Sequence, residues 1–298
     1  MLGEIGYLRA MSNIFRPQHG LRRDRTGVST YSKFGVELSF HIEDGFPLLT
    51  SKEMNWPSVV SEVLWMLEGS TDEARLRTLR YGGKVCPTKK TIWTPNRVDY
   101  QKRIGGSPDD TAMGNIYGKQ WRAFESGGVV VDQIKAVLHS LKTDPYSRRH
   151  VVSAWNPVDV DSSRSALPPC HVMFQFYVTS SGYLDCILTQ RSCDMFLGAP
   201  YNIAGYSLIT AMFARECGFK PGRFIHLIGD AHIYSNHVDQ VRQQMGRLRD
   251  APDFPRLHIS DDFDLMDRLE NGFRDDDVSR FTLSGYAPLG KLSGEMAV

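Results

Sequence analysis

Residues 172–191 read VMFQFYV, TSSG and YLDCILTQR, two runs rich in β-branched and aromatic residues on either side of a short turn. Two such runs joined by a few residues that include Gly predict a β-hairpin. HVVSAW, residues 150–155, predicts a further strand upstream of the hairpin. We therefore place a block of strands at the centre of the fold and expect the flanking segments to cover it.

The segments after this hairpin predict a buried helix and then another strand. Ile203 to Arg215 is apolar on most of its helical circumference, which is typical of a helix inside a protein, and Gly218 is placed to end it. FIHLIGDAHIY, residues 224–234, then predicts a strand. A strand, a helix and a strand thus follow one another in the second half of the chain.

The first half of the chain predicts one strand and two helices. TYSKFGVELSFHI, residues 30–42, alternates apolar and polar residues as a half-buried strand does. Residues 57–67 and 132–141 carry apolar residues at helical spacing, with Pro in the first turn and Gly69 at the end of the former and the turn DPYSRR after the latter. Residues 81–115 are rich in Gly, Pro, Lys and Asp with little periodicity, which predicts a long loop or small subdomain.

These segments predict a single α+β domain over residues 1–298, with a large, mostly central β-sheet covered by helices. The length alone would also allow two domains, because domains commonly have about 100–200 residues. We favour one domain because the sequence has no Gly/Ser-rich linker, no internal repeat and no low-complexity tract.

The composition argues against several classes of partner. The 35 basic and 34 acidic side chains leave a formal net charge of +1, so no overall field attracts DNA or an anionic membrane. No apolar run approaches the roughly 18 residues of a membrane span, and the start of the chain lacks a signal-peptide core. We therefore expect a cytoplasmic protein with no membrane and no DNA partner.

Cys170 is the most informative of the five cysteines. Their odd number and the lack of a CxxC pair indicate a reduced compartment and predict no metal site. Most cysteines in such proteins are small buried hydrophobic residues, and that interpretation stays open for each of them. Cys170, however, follows two prolines in LPPCH, and Pro restricts its own backbone and the residue before it, so this turn can hold a thiol in a fixed position.

Arginines at several places could activate a thiol or bind a phosphate. Nearby cations favour the thiolate, and the guanidinium fork matches phosphate oxygens. Taken singly, each arginine is more commonly a surface charge or a structural ion-pair partner. The candidates are Arg25, Arg148, Arg149 and Arg191, together with the adjacent hydroxyl of Ser192.

Two further side chains suggest base recognition and proton transfer. The amide of Asn202 offers both a donor and an acceptor, which matches O4 and N3–H of uracil, whereas cytosine presents the opposite pair. Asn202 could instead cap the following helix. Glu62 lies on or near the apolar side of its helix, where a carboxylate is costly unless it is hydrogen-bonded or functional, although an exposed helical Glu is the commoner case.

Seven separated segments, in the right order, resemble the thymidylate synthase family. They are DGFPLLTSK (44–52), YGKQWR (117–122), DPYSRRHVVSAWNP (144–157), LPPCH (167–171), QRSCDMFLGAPYNIAGYSL (190–208), GDAHIYSNH (229–237) and the terminal EMAV (295–298). The resemblance covers nearly the whole chain and is weakest at residues 81–112. It implies the α+β fold of that family and a methyltransferase that converts dUMP to dTMP. It also implies 5,10-methylenetetrahydrofolate as donor of the carbon and the hydride, and no metal.

The resemblance implies a set of residues that handle the nucleotide. Cys170 would add to C6 of the uracil ring, Asn202 would contact the base, and Tyr117 would help to remove the C5 proton. Arg148 and Arg149 would reach the phosphate of the other subunit's nucleotide, so an obligate homodimer is implied. The other residues on this side are Arg25, Arg191 and Ser192 for the phosphate, and His232 and Tyr234 for the sugar 3′-hydroxyl.

A second set of residues is implied on the folate side. Glu62 would belong to a water network that moves protons to and from O4 and the folate. Asp194, which by itself could equally be a loop or cap residue, would hydrogen-bond the pterin, and Trp93, by itself a core residue, would line the folate pocket. The other implied contacts are Lys52 at the folate tail, Gly198, and the carboxylate of Val298, which would help to close the site.

Departures from the usual family pattern cluster on this folate side. They are Glu53, Thr94, Ala112, Asn115 and Gly205. They keep open a dUMP hydroxymethylase, which would share Cys170 and Asn202 but let water, in place of hydride, attack the exocyclic methylene. A third possibility is a relative that only binds nucleotide or RNA. The intact Cys170, Glu62, Tyr117 and Asn202 argue against it, and the near-neutral charge gives no separate basic surface.

Overall fold

The computed structural model describes residues 3–16, 20–23, 27–83, 89–161 and 163–296. Its helices are α1 (Gly3–Ile14), α2 (Trp56–Glu68), α3 (Glu73–Tyr81), α4 (Thr94–Ile104), α5 (Tyr117–Arg122), α6 (Gln133–Thr143), α7 (Ala199–Cys217), α8 (Val238–Gly246) and α9 (Leu265–Asn271), with short 3-10 turns at Ser235–His237 and Asp277–Arg280. Its strands are β1 (Leu21–Arg22), β2 (Thr30–His41), β3 (Phe124–Ser126), β4 (Val129–Val131), β5 (Val151–Ser153), β6 (His171–Val178), β7 (Tyr183–Asp194), β8 (Lys220–Tyr234), β9 (Arg256–Ile259) and β10 (Phe281–Ser284).

Six of these strands form one mixed sheet, in the order β1-β2-β8-β7-β6-β5. β7 and β8 run parallel, and the other neighbours are antiparallel. The remaining strands form two small ribbons, β3 with β4 and β9 with β10. Helices pack on the large sheet, α1 against β2 and α7 against β7 and β8, so the predicted α+β class is confirmed. The extent of a single domain over residues 1–298 stays a prediction.

The hairpin predicted from residues 172–191 is confirmed as β6 and β7. Phe174 lies opposite Leu188 and Tyr177 opposite Asp185, and Gly182 in the connecting turn has a φ of 81°, a conformation that Gly adopts at no steric cost. β5 pairs with the other side of β6, which confirms the strand predicted in HVVSAW. β7 runs further than predicted, to residue 194, and therefore carries more of the candidate site residues on the strand itself.

The predicted buried helix and the strand after it are confirmed as α7 and β8. Parallel strands cannot be joined by a tight turn, and α7 supplies the crossover from β7 to β8 while packing on both. It is buried over most of its length and ends at Gly218, whose φ is 76°. Neither α7 nor any other helix in the described residues is long and apolar enough to cross a membrane.

The register of the parallel pair brings polar side chains together at one end of the sheet. Asp194 of β7 lies beside His232 of β8. The first turn of α7 lies close to the same strands, because Asn202 accepts a hydrogen bond from Gln190 of β7 at 3.2 Å. Strand pairing and the crossover helix therefore bring together residues that are separated along the chain.

The predicted strand at residues 30–42 and the predicted helices at 57–67 and 132–141 are confirmed as β2, α2 and α6. α2 begins after Asn55, whose side chain accepts from the Ser58 amide at 3.1 Å, and it ends at Gly69 with a φ of 85°. α6 begins in the same way, since the Asp132 carboxylate accepts from the Lys135 amide at 3.0 Å. Side-chain caps set both starting points.

Two alternatives were predicted for residues 81–115, and the long loop is wrong for the central part, where α4 spans Thr94–Ile104. The small subdomain stays a prediction. This helix buries Tyr100 and Gln101 alone among its residues, so its sequence lacks the apolar spacing that reveals the other helices. Its ends do carry helix signals, because Pro95 lies in the first turn and Gly105, with a φ of 69°, follows the last. Those two residues were the available evidence for a helix.

The C-terminal segment is tied to residues 50–53 by backbone hydrogen bonds. The Leu289 amide donates to the Thr50 carbonyl at 2.9 Å, and the Glu53 amide donates to the Gly290 carbonyl at 3.0 Å. This part of the tail therefore runs alongside Lys52, a candidate ligand residue. Glu53, one of the departures from the family pattern, holds the tail through its backbone amide, and its carboxylate also lies 3.7 Å from Nζ of Lys291 in the tail.

Replacing Gly205 with Ala should stabilise the protein. Gly205 lies inside α7, where Gly costs about 0.5–1 kcal/mol relative to Ala, and an added Cβ would lie 3.4 Å from Cγ2 of Val63. We expect urea denaturation to show a free energy of unfolding higher by up to about 1 kcal/mol. Gly118→Ala in α5 is the matched control, because its Cβ would lie 2.4 Å from the Ser70 carbonyl oxygen and should destabilise the protein. Equal effects of the two substitutions would contradict this account.

Candidate active site

A cavity of about 920 Å³ opens where Asp194 and His232 lie. The described residues that line it are Thr30, Pro95, Asn96, Asp99, Arg103, Val160, Ser165, Ala166, Leu167, Pro168, Cys170, Arg191, Ser192, Asp194, Asp230, His232 and Tyr234. They come from β2, β7, β8, α4 and the segment that leads into Cys170, and the cavity is large enough for a nucleotide. Within the described ranges, no group of three or more His, Cys, Asp or Glu side chains is placed to hold a metal ion.

The thiol of Cys170 lies beside the guanidinium of Arg191. Sγ is 3.8 Å from Nη2 of Arg191. The same guanidinium donates through Nε to the Pro169 carbonyl at 2.9 Å and through Nη2 to the Pro168 carbonyl at 3.0 Å. The Arg191 amide also donates to the Cys170 carbonyl at 2.9 Å. One arginine therefore holds the turn and places a positive charge next to the sulfur, where it stabilises a thiolate.

The hydroxyl of Tyr117 supports the same turn from the protein interior. It accepts from the Cys170 amide at 2.7 Å and from the His171 amide at 3.3 Å. Burial and the neighbouring Cys170 raise the pKa of the Tyr117 hydroxyl, so the phenol keeps its proton at neutral pH. Its O–H can donate to a ligand or a water, and its part in removing the C5 proton stays a prediction.

Asn202 is oriented by its side-chain contacts in the first turn of α7. Oδ1 accepts from Nε2 of Gln190 at 3.2 Å and lies 3.8 Å from Sγ of Cys193. The N-cap of the helix is Gly198, so the alternative in which Asn202 caps the helix is wrong. Because the amide is half-buried and hydrogen-bonded by other side chains, it presents its donor and acceptor in a defined direction.

Asp194 and Gly198 shape the loop between β7 and α7. Oδ1 of Asp194 accepts from the Phe196 amide at 2.8 Å and from the Leu197 amide at 3.1 Å. A Cβ added at Gly198 would lie 3.0 Å from the Asp194 carbonyl oxygen, so the loop closes tightly there. The structure thus shows Asp194 capping this loop, and the contacts of both residues with a folate stay predictions.

His232 and Tyr234 line the cavity from the end of β8. Nδ1 of His232 lies 3.5 Å from Oδ1 of Asp230. Burial lowers the pKa of His232, but the hydrogen bond and charge of Asp230, with the charge of Asp194, outweigh this and raise it overall. The rings of His232 and Tyr234 meet edge to face with centroids 5.2 Å apart, so the two side chains form one polar wall.

Glu62 on α2 lines a second, small cavity of about 40 Å³. Its Oε1 accepts from Nε1 of Trp93 at 2.6 Å. Burial raises the pKa of Glu62 to about 6, although the hydrogen bond from Trp93 and the charge of Arg80 oppose the increase. The alternative of an exposed helical Glu is therefore wrong. A carboxylate that titrates near neutral pH can take up and release protons, as a general acid or base must.

Trp93 connects Glu62 to the interior of the site. It is 7% exposed, and its ring lies 5.6 Å from that of Trp65 and 6.1 Å from that of Tyr117, measured between centroids. The default interpretation as a core residue is therefore correct, and the same ring also contacts two candidate site residues. Its place in a folate pocket stays a prediction.

The side chain of Lys52 is buried and hydrogen-bonded within the protein. It is 3% exposed, its ammonium donates to the Phe196 carbonyl, and Nζ lies 4.1 Å from the centre of the Phe196 ring. Burial lowers the pKa of Lys52 to about 8, and the charge of Asp194 acts in the opposite direction. In this conformation the ammonium points into the protein, so contact with a folate tail requires it to rotate outward. That role stays a prediction.

The remaining candidate residues differ in their position relative to the large cavity. Arg148 and Arg149 are exposed in the turn between α6 and β5 and do not belong to the described lining of the large cavity. Arg25 and Val298 fall outside the described residues, so their predicted contacts with phosphate and folate stay predictions. Ser192 lines the cavity beside Arg191, as the phosphate prediction requires.

Sequence analysis missed polar residues in and next to the site. Asn96, Asp99 and Arg103 line the cavity from α4, a helix that was not predicted. Gln190 and His226 form a buried hydrogen-bonded pair next to Asn202. A signal for this pair was present, because polar side chains in strands that are otherwise apolar are costly unless they are hydrogen-bonded or functional.

The chain is similar in sequence to known thymidylate synthases. Residues 6–298 match the family model described as thymidylate synthase. A probable thymidylate synthase of Escherichia phage T5 is 44% identical over 276 residues, which cover 93% of this chain and 94% of the relative. A thymidylate synthase of Listeria innocua serovar 6a is 39% identical over 301 residues, which cover 88% of this chain and 94% of the relative.

Trp93→Phe should raise the pKa of Glu62 above its value of about 6. The substitution removes the N–H that stabilises the ionised carboxylate and keeps the aromatic ring. Carbon-13 NMR of labelled Glu carboxyl groups, with Glu62→Gln used to assign the signal, measures the change. Trp56→Phe is the matched control, since Nε1 of Trp56 donates to the Phe281 carbonyl and not to a carboxylate. An unchanged or lower pKa of Glu62 in Trp93→Phe would contradict the stabilisation of the ionised carboxylate by Trp93.

Proposed function

The chain belongs to the thymidylate synthase family, and we propose that it converts dUMP to dTMP in the cavity beside Cys170. Enzymes of this family are methyltransferases that use 5,10-methylenetetrahydrofolate as co-substrate, and this chain is such a methyltransferase. One observation carries the assignment of the site. The thiol of Cys170 lies on a cavity of about 920 Å³, 3.8 Å from an arginine that also fixes its turn.

Cys170 is the proposed nucleophile. Its sulfur would form a bond to C6 of the uracil ring, which breaks the C5–C6 double bond and moves negative charge to C5 and O4. Arg191 supports this step because it stabilises the thiolate before attack. The turn held by Arg191 and Tyr117 also keeps the sulfur in one position, so little conformational freedom is lost at the moment of reaction.

Asn202 is the proposed base-recognition residue. Its Nδ2 would donate to O4, where charge develops after thiol addition, and its Oδ1 would accept from N3–H. The support is the half-buried amide in α7, whose oxygen already receives a hydrogen bond from Gln190. Cytosine offers the opposite pair of groups and is therefore disfavoured.

Glu62 and Tyr117 are the proposed proton-transfer residues. After C5 has bonded to the methylene carbon of the folate, C5 loses its proton and the folate nitrogen departs, leaving an exocyclic methylene on the ring. Hydride from the resulting tetrahydrofolate reduces this methylene, and release of Cys170 from C6 gives dTMP and dihydrofolate. The pKa of Glu62, about 6, suits proton exchange with O4 and with the folate through water.

The phosphate and sugar are assigned to the more polar wall of the cavity. Arg191 is exposed at its guanidinium and has five N–H donors, so its contacts with the LPPC turn leave donors for a phosphate. Ser192 lies next to it on β7, and Arg25 is proposed to join them. His232 and Tyr234 are proposed to bind the 3′-hydroxyl, because both line the same cavity from β8.

The reduced folate is proposed to bind beside the nucleotide, against Trp93 and the loop that Asp194 caps. Asp194 lines the large cavity and lies near Lys52, and Gly198 lets the loop pass close to the Asp194 backbone. We propose that Lys52 binds the folate tail and that the carboxylate of Val298 makes the contact that closes the site. Closure would exclude water from the exocyclic methylene before hydride transfer.

A homodimer is proposed from the positions of exposed residues. Phe34 of β2 and Tyr177 of β6 are 87% and 63% exposed, and large exposed aromatic side chains on a sheet are typical of a surface that a partner covers. Arg148 and Arg149 are exposed and are therefore accessible to a ligand bound to another chain. In the dimer they would reach the phosphate bound to the other subunit.

The comparisons support the synthase and not the hydroxymethylase alternative, because the similar proteins are named thymidylate synthases. Two departures that had kept the hydroxymethylase open have local structural explanations. Thr94 donates through Oγ1 to the Glu73 carboxylate at 2.8 Å, and Asn115 donates through Nδ2 to the Asp159 carboxylate at 2.9 Å. Both residues therefore have a role in hydrogen bonding within the protein, and neither is evidence that water attacks the exocyclic methylene.

Cys170→Ala should lower turnover by several orders of magnitude while dUMP binding changes little, because the variant lacks the nucleophile but keeps the phosphate and base contacts. Turnover is measured as dTMP formed from dUMP and methylenetetrahydrofolate, and binding by calorimetry. Cys217→Ala is the control, since burial raises the pKa of this half-buried thiol to about 11 and it plays no part in the proposed reaction.

The same assay identifies the reaction. Mass spectrometry of the wild-type product should show a 5-methyl nucleotide with one dihydrofolate released per turnover. A 5-hydroxymethyl nucleotide without dihydrofolate would overturn the synthase assignment, and full activity of Cys170→Ala would overturn the mechanism.

Mixing two inactive variants tests the proposed dimer. One carries Cys170→Ala, and the other carries Arg148→Ala with Arg149→Ala. If the arginines serve the other subunit's nucleotide, a mixed dimer has one site with an intact thiol and intact arginines. Activity after subunit exchange should therefore exceed that of either parent. No gain in a mixture shown by native mass spectrometry to contain mixed dimers would contradict the shared site.

A further inference from the structure

We propose that His226, acting through Gln190, fixes the orientation of the Asn202 amide and thereby sets the selectivity for uracil over cytosine. The inference rests on the proposed function, in which Asn202 contacts the base. It makes His226 and Gln190 positioning residues, because they act through Asn202 and need not touch the nucleotide.

Gln190 and His226 are buried on neighbouring strands. Gln190 of β7 is 3% exposed and His226 of β8 is 0% exposed. Polar groups without hydrogen bonds are costly in such surroundings, so the contacts that satisfy these side chains constrain them strongly. The proposed reaction uses neither residue directly.

The backbone carbonyl of Ser192 determines which way the Gln190 amide points. Nε2 of Gln190 lies 2.9 Å from this oxygen, which can accept a hydrogen bond but cannot donate one, so the nitrogen end of the amide must face it. Oε1 of Gln190 then faces Nε2 of His226 at 2.8 Å. Because an amide oxygen only accepts, His226 must carry its proton on Nε2.

His226 makes this donation as a neutral imidazole. Burial and the neighbouring His171 lower the pKa of His226 to about 3, so the ring carries a single proton throughout the neutral range. Nδ1 has no hydrogen-bond partner among the described residues, which agrees with the proton lying on Nε2. The donor to Gln190 therefore does not depend on pH near neutrality.

The remaining N–H of Gln190 orients Asn202. It points to Oδ1 of Asn202 at 3.2 Å, and Sγ of Cys193 approaches the same oxygen at 3.8 Å. A half-turn of the Asn202 amide would place its NH₂ group against both donors. His171 also lies within hydrogen-bonding reach of Asn202, but a neutral imidazole can donate or accept and so does not choose between the two orientations.

This orientation matches uracil. Nδ2 of Asn202 is left to donate to O4, and the remaining acceptor capacity of Oδ1 is left for N3–H. Cytosine, with an amino group at C4 and an acceptor at N3, would need the rotated amide. The Ser192 carbonyl and the His226 proton therefore orient the Gln190 amide, which orients the Asn202 amide, and the Asn202 amide selects the base.

His226→Leu tests the inference because it removes the N–H and leaves an apolar side chain. We expect the ratio of dUMP affinity to dCMP affinity, measured by calorimetry on the full-length protein, to fall about tenfold, since one orienting hydrogen bond is lost. dUMP should bind more weakly while dCMP binds as well as before or better. A purely structural role would weaken both nucleotides equally and leave the ratio unchanged.

Two further variants complete the test. His226→Gln keeps an N–H donor and should retain the wild-type ratio to within about threefold. Gln190→Met has no hydrogen-bond donor to offer Asn202, so it should lower the ratio even if His226→Leu does not fold. Thermal unfolding of each variant shows which proteins are folded before the affinities are compared.

The outcomes separate this inference from the proposed function. If the wild-type protein binds neither dUMP nor dCMP, the proposed function fails and the inference fails with it. If the wild-type protein prefers dUMP, and the folded His226→Leu and Gln190→Met variants prefer it equally strongly, the inference alone is wrong.

Discussion

The parallel pairing of β7 with β8 is the constraint on which the site depends. Parallel neighbours need a long crossover, and α7 provides it by packing back onto both strands. The same pairing sets Asp194 beside His232 and brings Asn202, in the crossover helix, against Gln190. If the two strands ran antiparallel, a tight turn could join them and no helix would be needed at this place.

Three buried side chains close to Cys170 and Asn202 are uncharged, whereas an arginine lies at the rim of the cavity. Burial lowers the pKa of His171 to about 4 and that of His226 to about 3, and it raises the pKa of the Tyr117 hydroxyl, so all three groups are neutral at physiological pH. Arg191, in contrast, is exposed at the edge of the cavity. A base fits the interior and a phosphate fits the rim, because desolvation is costly for charges and acceptable for hydrogen-bonded neutral groups.

Backbone carbonyls orient the important side chains on both sides of the site. The carbonyls of Pro168 and Pro169 hold the guanidinium of Arg191, and that of Ser192 holds the amide of Gln190. A carbonyl oxygen can only accept, so the Ser192 carbonyl selects the nitrogen end of the Gln190 amide, while the two proline carbonyls hold the Arg191 guanidinium in place. The fold thereby uses backbone groups to position long and flexible side chains.

Much of the fold could be predicted from local pattern. The β6–β7 hairpin, the buried α7 and the capped α2 and α6 follow from apolar spacing and from end signals such as Asn55 and Gly69, which act through neighbours in sequence. α4 could not be found in this way, because it buries little and has no apolar stripe. Residue chemistry made Cys170, Asn202 and Glu62 candidates, and the family resemblance then implied their roles before any of their surroundings were visible.

The sequence by itself determined the secondary structure of the strongly patterned segments, the family, and the chemical types of the candidate residues. Only the tertiary structure decided that Glu62 hydrogen-bonds Trp93, that Arg191 lies next to the Cys170 sulfur and that Lys52 points inward. It also decided that Gln190 hydrogen-bonds both His226 and Asn202. The reason is physical. Local pattern depends on residues a few positions apart, whereas pKa, burial and hydrogen-bond direction depend on neighbours brought together from distant parts of the chain.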